Sequence, residues 1–154
     1  MTIAALSQAR RRLISMGFGI AGAASGLAGF GSTRLLAAVP ADRERFMARA
    51  LEMRRLAVQG GDQAFGAVVV KNGEIVGEGV SAVLTTPDPT AHGEIQAIRD
   101  AARRLGTHRL TGCELYTTFK PCAMCETAAY WAGIERVFHG KGLTDGGVPV
   151  YRSC

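Results

Sequence analysis

The chain has no acidic residue before Asp42, so its first 41 positions carry only the cations Arg10, Arg11, Arg12 and Arg34. That absence locates the formal charge of +5: four of the 18 basic residues lie there, leaving 14 against 13 acids from Asp42 onward. A nearly neutral body lacks the clustered cation excess from which phosphate-backbone binding is built, so no nucleic-acid partner is expected. Cysteine is also scarce. Of the four, Cys122 and Cys125 are spaced C-x-x-C, while Cys113 and Cys154 follow no pattern, which argues for a metal pair rather than a disulfide framework. Two of the three histidines, His108 and His139, stand apart from any motif and read as surface or strand-end residues. Aromatic residues make up only 6% of the chain, and Phe65 and Trp131 read either as packing on a sheet or as walls of a pocket. With 154 residues and no repeats, one folded domain is expected.

The acid-free segment has its own logic. Arg10-Arg11-Arg12 is followed by Leu13 and Ile14 and then by an uncharged stretch rich in Gly, Ala and Ser that runs to Arg34. This resembles a twin-arginine signal peptide, with Val39-Pro40-Ala41 suited to cleavage before Asp42. The resemblance implies transient contact with the twin-arginine export machinery and a periplasmic or other extracytoplasmic location. Two alternatives stay open: an uncleaved membrane anchor, since an uncharged run of this length can span a bilayer as a helix, or a misassigned start. Export of an already folded protein would keep thiolates bound to metal and shielded from oxidation.

From Asp42 the pattern becomes that of a folded domain. Asp42 to Gln59 carries Phe46, Met47, Ala50, Leu51 and Val58 among charges, which predicts an amphipathic helix ended by Gly60-Gly61. Met47 and Met53 read as either core or surface. Ala64–Lys71 and Glu74–Ser81 are strand-like runs joined by Asn72-Gly73, a strong hairpin signal. Thr85–Thr90 is a loop, and Ala91–Leu105 has helical spacing stopped by Gly106. Cys113–Thr118 predicts a strand, Pro121 sits where a proline opens a helix running from Cys122 to Trp131, and Arg136–His139 predicts another strand. Such alternation of helices and strands defines an α/β layout with helices covering the faces of one sheet.

Two motifs carry chemistry. A C-x-x-C pair at a helix start gains from the positive end of the helix, which favours thiolates, but alone it fits a redox pair or half a zinc ribbon as well as a catalytic metal site. Thirty residues upstream, His92-Gly93-Glu94 adds an imidazole and a carboxylate at the start of another helix. Two cysteines and one histidine make three ligands, the count of a catalytic zinc with an open fourth position for water. Glu94, two residues from His92, projects to another side and is suited to moving protons beside that position.

H-x-E followed by P-C-x-x-C is the signature of zinc nucleobase deaminases, and here it reads His92-Gly93-Glu94 and Pro121-Cys122-Ala123-Met124-Cys125. With Phe65–Lys71, Asp88–His92, Leu115–Thr118, Tyr130–Ala132 and Arg136–Phe138, the chain resembles the guanine deaminase branch of the cytidine deaminase-like superfamily over roughly residues 42–145. The resemblance implies a three-layer α/β/α fold with a mixed sheet of about five strands, and a homodimer acting on a small nucleobase or nucleoside. It implies zinc held by His92, Cys122 and Cys125, with Glu94 as the proton-moving group. Gly93, Ser81, Phe65 and Asp145 become the candidate substrate-binding residues: Gly93 through its N–H, Ser81 where the family has an asparagine that contacts the base, and Asp145 as the sole acid among the sixteen residues after Phe138. Lys120 replaces a residue that is often glutamate, and Gly93 one that is usually alanine. The activity implied is hydrolytic deamination, guanine first, with release of ammonia. A tRNA adenosine or cytosine-type deaminase and a non-catalytic zinc-binding remnant are the alternatives.

Overall fold

The computed structural model describes residues 41–151; the transport-signal reading and Cys154 fall outside the described residues. In chain order the elements are α1 (Ala41–Gln59), β1 (Gly66–Lys71), β2 (Glu74–Val80), α2 (Gly93–Leu105), β3 (Cys113–Thr117), α3 (Ala123–Ala132), β4 (Arg136–His139) and β5 (Thr144–Gly147). The strands form one sheet in the order β2-β1-β3-β4-β5. Only β3 and β4 are parallel; the other neighbours are antiparallel, so the sheet is mixed.

Alternation along β1 divides the core into two layers. Val68 and Val70 face α1 and pack with Phe46, Met47, Ala50, Met53, Tyr116 and Phe138. Ala67 and Val69 face the opposite side and pack with Ala97 and Ala101 of α2, Leu115, and Ala129 of α3. This is the expected α/β/α sandwich, a consequence of side chains pointing to opposite faces at every step of a strand. Both Met47 and Met53 belong to the core, whereas Val58, expected inside, is 56% exposed. The buried stripe ends with Ala57, and Val58 is turned a further 100° around the helix.

The hairpin closes as its sequence predicts. Asn72 and Gly73 both take positive φ, 51° and 79°, the conformation required of the two central residues of a type I′ turn. A register shift opposite Val69 and Val70 gives β2 one extra residue, so Val76 and Gly77 both face α2 while Ile75 reaches the α1 layer.

Glycines decide how near α2 comes to this edge. A Cβ on Gly79 would lie 1.9 Å from Gly93 O and 2.3 Å from Ala97 N, and one on Gly77 would lie 2.6 Å from Ala101 N. The ridge Gly93, Ala97, Ala101 therefore rests directly on strand backbone, and α2 is seated with almost no side-chain layer between. Beyond the expected elements, β5 adds an edge strand whose Thr-Asp-Gly-Gly sequence has no apolar alternation.

Candidate active site

Two helix starts converge on one point. His92 is the N-cap of α2 and Cys122 the N-cap of α3, each with extended backbone and no side-chain cap hydrogen bond. Both residues stand just outside the helices in which the sequence places them, and Pro121 precedes the cap rather than opening α3. A serine or aspartate at an N-cap would turn its side chain back onto the helix; these two leave theirs free for another partner. Cys125 follows in the first turn of α3 and is buried.

His92 Nδ1 lies 3.7 Å from Cys122 Sγ and 3.6 Å from Cys125 Sγ. All three donor atoms fall within 4.8 Å of one another, the one such group among the described residues. Zinc bonds of about 2.3 Å to sulfur and 2.0 Å to nitrogen at tetrahedral angles separate the two atom types by about 3.5 Å, so the spacing fits zinc. The donor chemistry fits as well. Burial, followed by the Glu94 carboxylate and the neighbouring Cys122, pushes the Cys125 thiol far above its usual range. A thiolate in that position calls for a cation, and the positive ends of α2 and α3 point the same way.

Glu94 is buried, 4% exposed, with Oε2 3.6 Å from Cys125 Sγ. Its other oxygen, Oε1, accepts a 3.0 Å hydrogen bond from the Thr117 hydroxyl at the end of β3. The carboxylate is thus held at one oxygen while the other faces the sulfur cluster. Thr117 lies in the Leu115–Thr118 segment that carries the resemblance, but nothing in its spacing announces the bond to Glu94.

The candidate substrate-binding residues separate in space. Gly93, next in the chain to His92, packs on the backbone of Phe65 and Gly66. Phe65 is 38% exposed and meets Phe119 edge-on, with ring centroids 5.4 Å apart, which makes Phe119 a second aromatic neighbour that sequence reasoning passes over. Ser81 is buried, and its hydroxyl donates to Asp62 Oδ1 at 2.8 Å. Asp145 lies on the exposed edge strand β5 and pairs with Arg136 at 3.3 Å. Trp131 joins neither core nor cluster: it is 70% exposed and stacks on Tyr151 because its helical phase faces away from the sheet.

Fold and site together define a domain of the zinc-type deaminase class: two sulfur donors and one imidazole, a buried carboxylate beside them, and an α/β/α sheet that brings two helix N-termini to one place. Residues 40–141 match the cytidine and deoxycytidylate deaminase zinc-binding region, and the chain belongs to that family. It is 45% identical over 105 residues to a guanine deaminase of Bacillus subtilis, covering 68% of this chain and 67% of that enzyme. A tRNA-specific adenosine deaminase of Aquifex aeolicus is 43% identical over 107 residues, covering 69% and 71% of the two chains. The solved structure of the Bacillus subtilis guanine deaminase superposes with a TM-score of 0.61 at 46% identity, over 63% of this chain and 62% of that one. This chain therefore spans a little under two thirds of the solved guanine deaminase.

Proposed function

We propose that this protein removes the amino group of a small nucleobase, guanine first, by hydrolysis, giving the corresponding oxo base and ammonia. The carrying observation is Glu94, fixed by Thr117 at one oxygen and facing the His92, Cys122 and Cys125 cluster with the other. His92, Cys122 and Cys125 would hold zinc, which supplies the Lewis acidity that makes water a nucleophile near neutral pH. Everything else falls to the chain itself. Glu94 takes one proton of the attacking water and passes it to a ring nitrogen of the base. It then takes the remaining proton from the hydroxyl on the tetrahedral carbon and gives it to the amine, which leaves as ammonia as the carbonyl forms. Thr117 keeps the carboxylate from turning away during those transfers. Phe65, whose backbone lies against Gly93, and its edge-on neighbour Phe119 are partly exposed and would offer aromatic surface to a planar base. The near-neutral body and the likeness to a guanine deaminase favour a free base over a polyanion.

A tRNA adenosine is the second reading, favoured by the 43% identity to the Aquifex aeolicus enzyme. Ammonia release by zinc-loaded protein from guanine, cytosine, adenine, a pterin and a tRNA anticodon stem-loop separates the two. Turnover is expected with guanine. Turnover of the stem-loop alone would transfer the assignment to tRNA, and turnover of none would leave a zinc-binding protein without catalysis.

A further inference from the structure

Asp62 stands immediately past α1, where its own N–H donates to Ala57 O at 2.9 Å. Its carboxylate is buried, 9% exposed, and gathers six hydrogen bonds. Oδ1 accepts from Gln63 N–H at 2.8 Å, the Ser81 hydroxyl at 2.8 Å and Val83 N–H at 3.2 Å. Oδ2 accepts from Leu84 N–H and Thr85 N–H, both at 2.9 Å, and from the Thr85 hydroxyl at 3.0 Å. Among the described residues no cation forms an ion pair with it, so hydrogen bonds alone offset its charge. Burial raises the pKa of this carboxyl, but the bonds from Thr85, Ser81 and Gln63 outweigh it and hold the group far below the usual carboxylate range. Three successive backbone N–H groups, Val83 to Thr85, converge as they do in an anion-binding nest, and Asp62 is the anion the chain itself provides.

Five of the six donors belong to the connection between β2 and α2, which ends on His92. Two further bonds tie that connection to the site. Ser81 N–H donates to Phe65 O at 3.2 Å, and Ala82 N–H donates to Ala91 O at 2.9 Å, one residue before His92. Ala91 is completely buried, so its position is not adjustable without disturbing what surrounds it. A loop of this length has many conformations of similar energy when nothing holds it, while a metal ligand must be placed within a few tenths of an ångström.

We infer that Asp62 is a positioning residue for the ligand His92. Its carboxylate fixes Ser81–Thr85, the Ala82–Ala91 bond carries that order to the end of the loop, and His92 is presented to Cys122 and Cys125 already in place. Ser81 is then part of this anchor, its hydroxyl directed to Asp62 rather than to a substrate.

The inference rests on the zinc reading of the cluster, which the metal content of the unaltered protein checks separately. Zinc-loaded full-length protein is challenged with a chelator, and the rate of zinc release is measured alongside the melting temperature. Asp62→Asn keeps the size but turns one acceptor into a donor against N–H groups. Release at least about tenfold faster than in the unaltered protein is expected, as for other groups that orient metal ligands. Ser81→Ala with Thr85→Val removes two donors, keeps the carboxylate and the fold, and should release zinc at an intermediate rate. Arg49→Ala breaks the α1–β2 ion pair to Glu78 and serves as the structural control, lowering melting temperature without faster release. Zinc release from the Ser81/Thr85 variant at the unaltered rate, or release from the Asp62 variant no faster than from the Arg49 variant, overturns the inference. If Asp62→Asn does not fold, the double variant decides. Unaltered protein that takes up no zinc overturns the zinc reading and this inference with it.

Discussion

The hydroxyl of Thr117 donates to Glu94 Oε1 at 3.0 Å, and both side chains are buried. A strand end and a helix start, 23 residues apart in sequence, thereby share one hydrogen bond beside the His92, Cys122 and Cys125 cluster. That bond makes the two residues separable by kinetics.

Glu94→Gln keeps size and shape but cannot take a proton, so turnover should fall by at least about a thousandfold while zinc content is unchanged. Thr117→Val removes only the orienting bond, and kcat should fall about tenfold with KM little altered, in line with a contribution of roughly 1–1.5 kcal/mol. Steady-state kinetics with metal analysis checks both. Full activity in Glu94→Gln would exclude the proton-moving role.

Gly79 lies under α2, where an added Cβ would meet Gly93 O at 1.9 Å and Ala97 N at 2.3 Å. Those are backbone atoms, which cannot swing aside as a side-chain tip can. Gly79→Ala should cost about 3 kcal/mol or more and lower the melting temperature by at least about 10 °C. Because α2 carries Glu94 and follows His92, activity measured well below the melting temperature should drop as well. Thermal unfolding beside a rate measurement tests this, and an unchanged melting temperature would mean that the helix has room to lift.

Arg10 and Arg11 are expected to bear on location rather than chemistry. If the first 41 residues act as a twin-arginine signal, Arg10→Lys with Arg11→Lys should retain the protein in the cytoplasm with its activity intact. Fractionation of cells producing both forms is the measurement. Identical distribution of the two would exclude this export route.

The grouping of His92, Cys122 and Cys125 with Glu94 was legible because metal chemistry demands rare residue types at short spacings: H-x-E and P-C-x-x-C do not arise from packing alone. The hairpin was equally legible, since Asn72-Gly73 is chosen for positive φ. Trp131 and Val58 were misread for a shared reason. Whether an apolar residue is buried depends on a helical phase that is set by where the helix docks, and a few positions at a helix end straddle the boundary. Strand β5 escaped notice because Thr-Asp-Gly-Gly carries no alternation; it is held against β4 by backbone pairing and the Arg136–Asp145 ion pair, not by a buried apolar face.

By itself the sequence determined the His92, Glu94, Cys122 and Cys125 motifs, the order of the elements from α1 to β4, and the near-neutral charge of the folded part. Only the tertiary structure decided which distant residues serve them. Thr117 reaches Glu94, and Asp62 binds the loop before His92, because sheet order and the glycine-seated helix α2 bring separate segments within hydrogen-bond reach. Hydrogen bonds act over about 3 Å, and no spacing along a chain encodes a distance that only folding creates.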